Sequence, residues 1–199
     1  MQESLGKIFG SQYRAKVIRF FALNDPIVHK TVDISKMLKI KKPLLQKELN
    51  ILTTIGFINK KLSKGRTVGY QLNAEFKNLE PLKELVLHPD FIKKDEYPRK
   101  LRASGKLKLL VISGTLTNNK HSRIDMLVVA DKVKRGPFES ALRSIEAEIG
   151  KEIMYVLLDT NEFRYRMEMR DKLLSDVLDF DHEELYRANE LSTMRLRIT

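Results

Sequence analysis

The 199-residue chain contains no cysteine, which excludes disulfides, thiolate zinc sites and a cysteine nucleophile together. Its four histidines, His29, His88, His121 and His182, are scattered. None forms an i, i+4 pair with another, so no metal site is expected on them. No apolar run approaches the ~20 residues that a membrane-spanning helix needs, and no membrane association is expected. The stretch Met1-Gln2-Glu3-Ser4-Leu5-Gly6 has no basic segment leading into an apolar core; a secretory leader is therefore not expected, and the cytoplasm is the expected compartment. What is present is the composition of a globular protein, 42% hydrophobic and 32% charged, at a length that suits one large domain or two small ones.

Charge is distributed unevenly. Residues 1–80 hold 15 Lys and Arg against 6 Asp and Glu, a net of +9, whereas residues 81–199 hold 22 against 20, a net of +2, within a formal total of +11. A positive field concentrated on one half suits a domain whose partner is a polyanion.

Within that half, Ile34 to Asn73 reads as helix, turn, helix and β-ribbon. Asp33, an N-cap type residue, introduces a short helix over Ile34-Ser35-Lys36-Met37-Leu38, and Lys39-Ile40 form the turn. Lys41-Lys42-Pro43 opens a second helix, with Pro43 in the first turn, where a missing N–H costs nothing. Leu44, Leu45, Leu49, Leu52 and Ile55 recur at three- and four-residue steps and are expected to form its buried stripe; Lys42, Gln46, Lys47 and Asn50 occupy the opposite face. Gly56 ends the helix, Phe57 to Leu62 begins a strand, Ser63-Lys64-Gly65-Arg66 makes a polar turn, and Val68 to Leu72 forms a second strand.

This order of parts resembles the winged helix-turn-helix of bacterial and archaeal transcription regulators, in which an Ile-Gly-Phe-Ile segment leads into a basic wing ending in a Gly-Tyr-x-Leu strand. The resemblance implies double-stranded DNA as partner, with the second helix in the major groove and the wing on phosphates. Gln46, Lys47 and Asn50 would then meet base edges or adjacent phosphates. Lys41 and Lys42 would hold a phosphate at the helix start, and Lys60, Lys61, Lys64 and Arg66 would be the wing contacts. A merely solvated charged face is the competing reading of each lysine. A homodimer matching two half-sites is also expected, with Ile8, Phe9, Phe20, Phe21, Leu82, Leu85 and Val86 as apolar surface for pairing.

Before this stretch, Leu5, Ile8, Phe9 and then Val17 to Leu23 predict a helix or a broken pair of helices, the main one capped by Ser11. After it, helical spacing returns over Asn73 to His88, and a linker with two prolines follows from His88 to Pro98. A short helix over Arg99 to Gly105 completes the connection. Strands are predicted at Leu107–Ser113, Ile124–Ala130 and Glu152–Leu158, and helices at Glu139–Ile149, Glu162–Met169 and Asp171–Leu178. Glu183 to Leu191 reads as a helix. Met194, Leu196 and Ile198 alternate with polar residues, as in a terminal edge strand, with a disordered chain end as the competing reading.

The segment Ile112-Ser113-Gly114-Thr115-Leu116-Thr117 with Ser122-Arg123-Ile124-Asp125-Met126-Leu127-Val128-Val129 resembles the core of small nucleotidyltransferases related to polymerase β. Glu162-Phe163-Arg164-Tyr165-Arg166 resembles their Glu-Phe-x-x-Arg helix start. That family ends a strand in Gly-Ser and sets two carboxylates at i and i+2 of the next, facing one side to hold two magnesium ions. Here Thr115 replaces the serine beside Gly114, Arg123 stands in place of the first carboxylate, and Asp125 alone matches the second. Met154 or Tyr155 stands where a third carboxylate would be. A guanidinium repels a divalent cation, so the resemblance implies a domain without its metal site, no catalytic residues and no cofactor. A carboxylate paired with a neighbouring base such as Arg123 is the plain reading of Asp125.

The expected architecture is α+β: a winged helix-turn-helix domain over residues 1–88, a linker with a short helix over 89–105, and a small α/β nucleotidyltransferase-like domain over 106–199. The expected function is transcription regulation, with room for a small-molecule or nucleotide effector. An active nucleotidyltransferase, or an antitoxin-like partner protein, is the alternative.

Overall fold

The computed structural model describes residues 2–88, 91–117, 122–179 and 181–192, with residues 2–4 described by backbone alone. Helices and two small sheets alternate along the chain, an α+β fold. The chain divides into two compact units, Met1–Ile92 with Ile145–Lys151, and Lys93–Ser144 with Glu152–Thr199. Among the described residues, no helix is long and apolar enough to cross a membrane.

The first unit begins with α1 (Gln2–Ile8) and α2 (Gln12–Leu23). The break between them falls at Gly10, whose φ of +70° suits glycine, and Ser11 caps α2 by accepting the Arg14 N–H at 3.2 Å. Helix α3 spans Thr31–Leu38, starting earlier than its sequence pattern suggested: Lys30 is the N-cap and Asp33 lies in the first turn, where its charge still faces the positive end of the helix dipole. Lys39, at φ 52°, turns the chain into α4 (Lys42–Thr54), with Pro43 in its first turn. Helix α4 closes in a Schellman arrangement: the Phe57 N–H bonds to the Leu52 carbonyl at 2.9 Å and the Gly56 N–H to Thr53 at 3.0 Å, with Gly56 at φ +76°.

The expected stripe of α4 needs correction at both ends. Leu45, Leu49 and Leu52 are fully buried, but Leu44 and Ile55 are exposed. The remaining position of the buried face is Glu48, which is polar yet buried. Strand β1 (Ile58–Ser63) pairs antiparallel with β2 (Arg66–Leu72). Lys64 and Gly65, both with positive φ, form the two-residue turn between them, the geometry that matches strand twist in a tight hairpin. Helix α5 (Leu79–Leu87) begins later than Asn73, because residues 73–78 form turns. The core joins Val17, Ile18, Phe20 and Phe21 of α2 to Ile34, Leu38, the three leucines of α4, Phe57, Tyr70 and Val86.

In the second unit, the short helix expected over Arg99–Gly105 is present but starts two residues earlier, as α6 (Tyr97–Arg102), with Tyr97 and Leu101 buried, and it packs on β3. The sheet has the order β5-β4-β3-β6, with β3 Lys106–Ile112, β4 Met126–Asp131, β5 Tyr155–Leu158 and β6 Glu183–Arg187. Strand β4 runs antiparallel to β3 and parallel to β5, the parallel pair being connected through α7 (Arg135–Ile149). Leu109, Val111, Leu127 and Val129 alternate onto one face and pack with Phe163 of α8 (Thr160–Glu168) and Leu174 and Val177 of α9 (Lys172–Leu178).

Strand β6 replaces the helix expected over Glu183–Leu191. Its residues favour helix locally, but β3 offers an unpaired edge, and β6 takes it in antiparallel register, Leu109 opposite Arg187 and Leu110 opposite Tyr186. The Arg102 guanidinium stacks over the Tyr186 ring, 4.4 Å from its centroid. The alternation at Met194, Leu196 and Ile198 lies outside the described residues, as does His121.

Candidate nucleic-acid interface

The exposed side of α4 carries Lys42, Lys47 and Asn50, with Lys41 as its N-cap and Gln46 half-buried among them. No side chain caps this end of the helix, so the first-turn N–H groups stay available to an anion. Beyond α4, every residue from Asn59 to Val68 is exposed, so the far part of the hairpin shows both faces to solvent. Lys60, Lys61, Lys64 and Arg66 all lie on it. A ribbon with nothing to bury on either face is shaped by its turn and its ladder, and four cations along it make an exposed basic edge.

The base of the hairpin is anchored more firmly. Tyr70, 3% exposed, exchanges two backbone hydrogen bonds with His29, at 2.8 and 2.9 Å, which adds a third short extended segment beside β2. Gly69 permits this approach, since a Cβ there would lie 2.7 Å from the His29 carbonyl oxygen. The His29 ring packs edge-on against Phe20, 4.7 Å between centroids. From this anchored position the Tyr70 hydroxyl accepts a hydrogen bond from Gln46 Nε2 at 3.0 Å, and the same nitrogen donates to Asn50 Oδ1 at 3.0 Å. Helix and hairpin are thereby joined at Gln46, one of the three residues, with Lys47 and Asn50, expected to meet base edges or adjacent phosphates. Tyr70 has no signature for this role in the sequence beyond its place in the Gly-Tyr-x-Leu strand.

Glu48 is the other residue the sequence pattern missed. Its carboxylate accepts from Ser11 Oγ at 2.6 Å and from Arg14 Nε at 2.9 Å, fixing the centre of α4 to the start of α2. The apolar surface expected for self-association is smaller than its sequence suggested. Phe20, Phe21 and Val86 lie in the core of the first unit, leaving Ile8 and Leu85 as the clearly exposed members of that set.

In the second unit, Gly114, Thr115 and Asp125 come together where β3 ends and β4 begins. Asp125 is 5% exposed, and both of its carboxylate oxygens are engaged: Oδ1 accepts the Thr115 N–H at 2.7 Å and Oδ2 the Met154 N–H at 3.0 Å. Gly114, at φ +55°, brings the backbone so close that a Cβ would lie 2.6 Å from Oδ1. Arg123 is exposed and forms no ion pair with Asp125, which corrects the pairing expected between them. Met154 sits across from Asp125, accepting its N–H at 2.7 Å, with its own side chain turned to solvent. The residues do not fit a pair of magnesium ions: the single carboxylate is committed to backbone donors, and the flanking positions offer a guanidinium and a thioether. Among the described residues, no three His, Asp or Glu side chains converge as a metal-holding group.

A second carboxylate, Asp131 at the end of β4, is also a backbone clamp. Its two oxygens accept the Thr160 N–H and hydroxyl, each at 2.9 Å, at the start of α8. Burial pushes its pKa upward, but the two Thr160 bonds and the charges of Lys108 and Lys106 outweigh that and hold it below the ordinary aspartate value.

Compared with known proteins, the chain matches no protein family, no curated protein and no solved structure.

Proposed function

We propose that the protein is a transcription regulator that binds double-stranded DNA through its first unit, with α4 in the major groove and the β1–β2 hairpin along the phosphates. The observation that carries this reading is the pairing of a polar helix face, Lys42, Gln46, Lys47 and Asn50, with a hairpin exposed on both faces and carrying four cations. Helix-turn-helix order in α3 and α4, the three-residue turn between them and the +9 charge of residues 1–80 support it. The second unit we read as a nucleotidyltransferase-like domain without catalytic function. Support for that comes from the succession of β3, the Gly114 turn, β4, α7 and β5, and from an Asp125 whose oxygens serve the backbone. Two copies acting as a homodimer would place two reading helices on adjacent half-sites.

The test is a titration of duplex DNA at several salt concentrations. Each phosphate contact contributes about −0.9 to the slope of log affinity against log salt. Replacing Lys60, Lys61, Lys64 and Arg66 together by alanine should flatten that slope and weaken binding to every sequence. A quadruple variant that binds as tightly as the parent at physiological salt would show that the hairpin does not touch the duplex.

A further inference from the structure

We propose that Tyr70 sets which hydrogen-bonding groups α4 presents to base edges, so that Gln46 and Asn50 read DNA as one unit of fixed polarity. The inference rests on the DNA-binding reading above and adds what that surface selects. The Gln46 amide nitrogen carries two hydrogens, and both are used within the protein, one on Asn50 Oδ1 and one on the Tyr70 hydroxyl, each at 3.0 Å. What Gln46 offers outward is its oxygen, an acceptor. Asn50 is exposed, and with its Oδ1 held by Gln46 it offers its Nδ2 hydrogens, donors. Tyr70 cannot follow a wandering side chain, because it is buried and its backbone N–H and C=O are both bonded to His29.

A free glutamine or asparagine reads adenine with both ends of its amide, accepting from N6 and donating to N7. Gln46 cannot do so here, because both of its amide hydrogens are already used, whereas Asn50 keeps both of its own. The bonded pair instead places an acceptor at 46 and a donor at 50, one helical turn apart on the same face. The acceptor matches the exocyclic amine of adenine or cytosine. The donor matches guanine N7 or O6, adenine N7 or thymine O4. Tyr70 acts as a positioning residue: it touches no base, and removing its hydroxyl frees one Gln46 hydrogen and lets the amide turn.

The experiment is selection of bound duplexes from a randomised pool by the parent, Tyr70→Phe and Asn50→Asp, after circular dichroism has shown each variant folded. The parent is expected to select an exocyclic amine at one base pair and an acceptor at a neighbouring one. In Tyr70→Phe the affinity ratio between the selected duplex and a scrambled one should fall about tenfold, the scale of one lost hydrogen bond. Asn50→Asp keeps an oxygen for Gln46 but turns the outward donor into an acceptor, so its preferred group at that base pair should switch to an amine. In DNA-free protein, the Gln46 side-chain amide protons should exchange more slowly with solvent in the parent than in Tyr70→Phe, as read by nuclear magnetic resonance. A motif unchanged in Tyr70→Phe, or a parent motif that demands a donor from position 46, overturns the proposal and leaves DNA binding standing. Absence of any duplex binding by the parent overturns both.

Discussion

Arg14 Nε lies 2.9 Å from Glu48 Oε2, an ion pair that ties the first turn of α2 to the centre of α4, 34 residues further along the chain. The Glu48 side chain is 6% exposed and that of Arg14 25%, so water screens the pair only from one side. Ser11 holds the second Glu48 oxygen, and the Arg14 Nη1 donates to the Phe9 carbonyl at 2.7 Å. Glu48→Ala removes two hydrogen bonds to a charged group and should lower stability by about 2 kcal/mol. The double variant with Arg14→Ala should lose less than the sum of the two single variants, because each single change leaves one charge without its partner. Urea denaturation measures all three; a Glu48→Ala midpoint equal to the parent's would remove the pair from any account of how α4 is held.

The hairpin depends on a position without a side chain. A methyl at Gly69 would stand 2.7 Å from the His29 oxygen and 2.8 Å from Val28 Cγ1, so Gly69→Ala must push the His29 segment away from β2. Forcing a group into a filled space costs about 1–3 kcal/mol. The bridge between His29 and Tyr70 should open, and DNA affinity should fall with it even though no cation has been changed. Retention of full affinity together with a parent-like melting temperature would mean that the bridge is dispensable.

Acid should weaken the second unit through Asp131. Its native pKa lies below the unfolded value of about 3.9, because the Thr160 bonds and Lys108, whose Nζ is 4.0 Å away, overcome the effect of burial. A depressed pKa contributes stability that is present above the unfolded value and is lost as pH falls through the native one. The gap in denaturation midpoint between parent and Asp131→Asn should therefore be full at neutral pH and close as the solution is taken below the ordinary aspartate range. A gap that stays constant to low pH would place the effect in shape rather than charge.

Periodicity made much of the first unit legible. Leu45, Leu49 and Leu52 announced the buried side of α4, and Gly56 and Lys64-Gly65 announced the helix end and the hairpin turn, because those signals are local. Leu44 and Ile55 misled, since the stripe continues through Glu48, whose partner Arg14 is remote in sequence and leaves no local trace. The same holds for Tyr70, whose hydroxyl matters only because folding brings it to Gln46. Strand β6 was illegible for a related reason: Glu183-Glu184-Leu185-Tyr186-Arg187 favours helix until the open edge of β3 is beside it. At Asp125, the sequence suggested a leftover metal ligand or a partner for Arg123, and only the backbone geometry revealed two N–H groups as its partners.

That geometry yields the sharpest expectation for the second unit, that no nucleotidyl transfer will be found and that restoring one carboxylate will not create it. In-line transfer by two metal ions needs converging carboxylates with oxygens free to bind them. Both oxygens of Asp125 already accept backbone bonds, the Thr115 N–H on one and the Met154 N–H on the other, and Arg123 stands where a second carboxylate would have to converge with it. Arg123→Asp recreates the Asp-x-Asp spacing at an exposed position and should alter stability by no more than about 0.5 kcal/mol. The position opposite Asp125 would still hold Met154 and no third ligand. Asp125→Asn should instead destabilise the fold by about 2 kcal/mol, because an amide NH2 would face a backbone N–H where an oxygen now accepts one. Incubation with radiolabelled nucleoside triphosphates and magnesium is expected to label neither RNA, protein nor the chain itself, in the parent or in Arg123→Asp. Magnesium-dependent labelling by the parent, lost in an Asp125→Asn variant that remains folded, would make the second unit an enzyme and Asp125 one of its ligands.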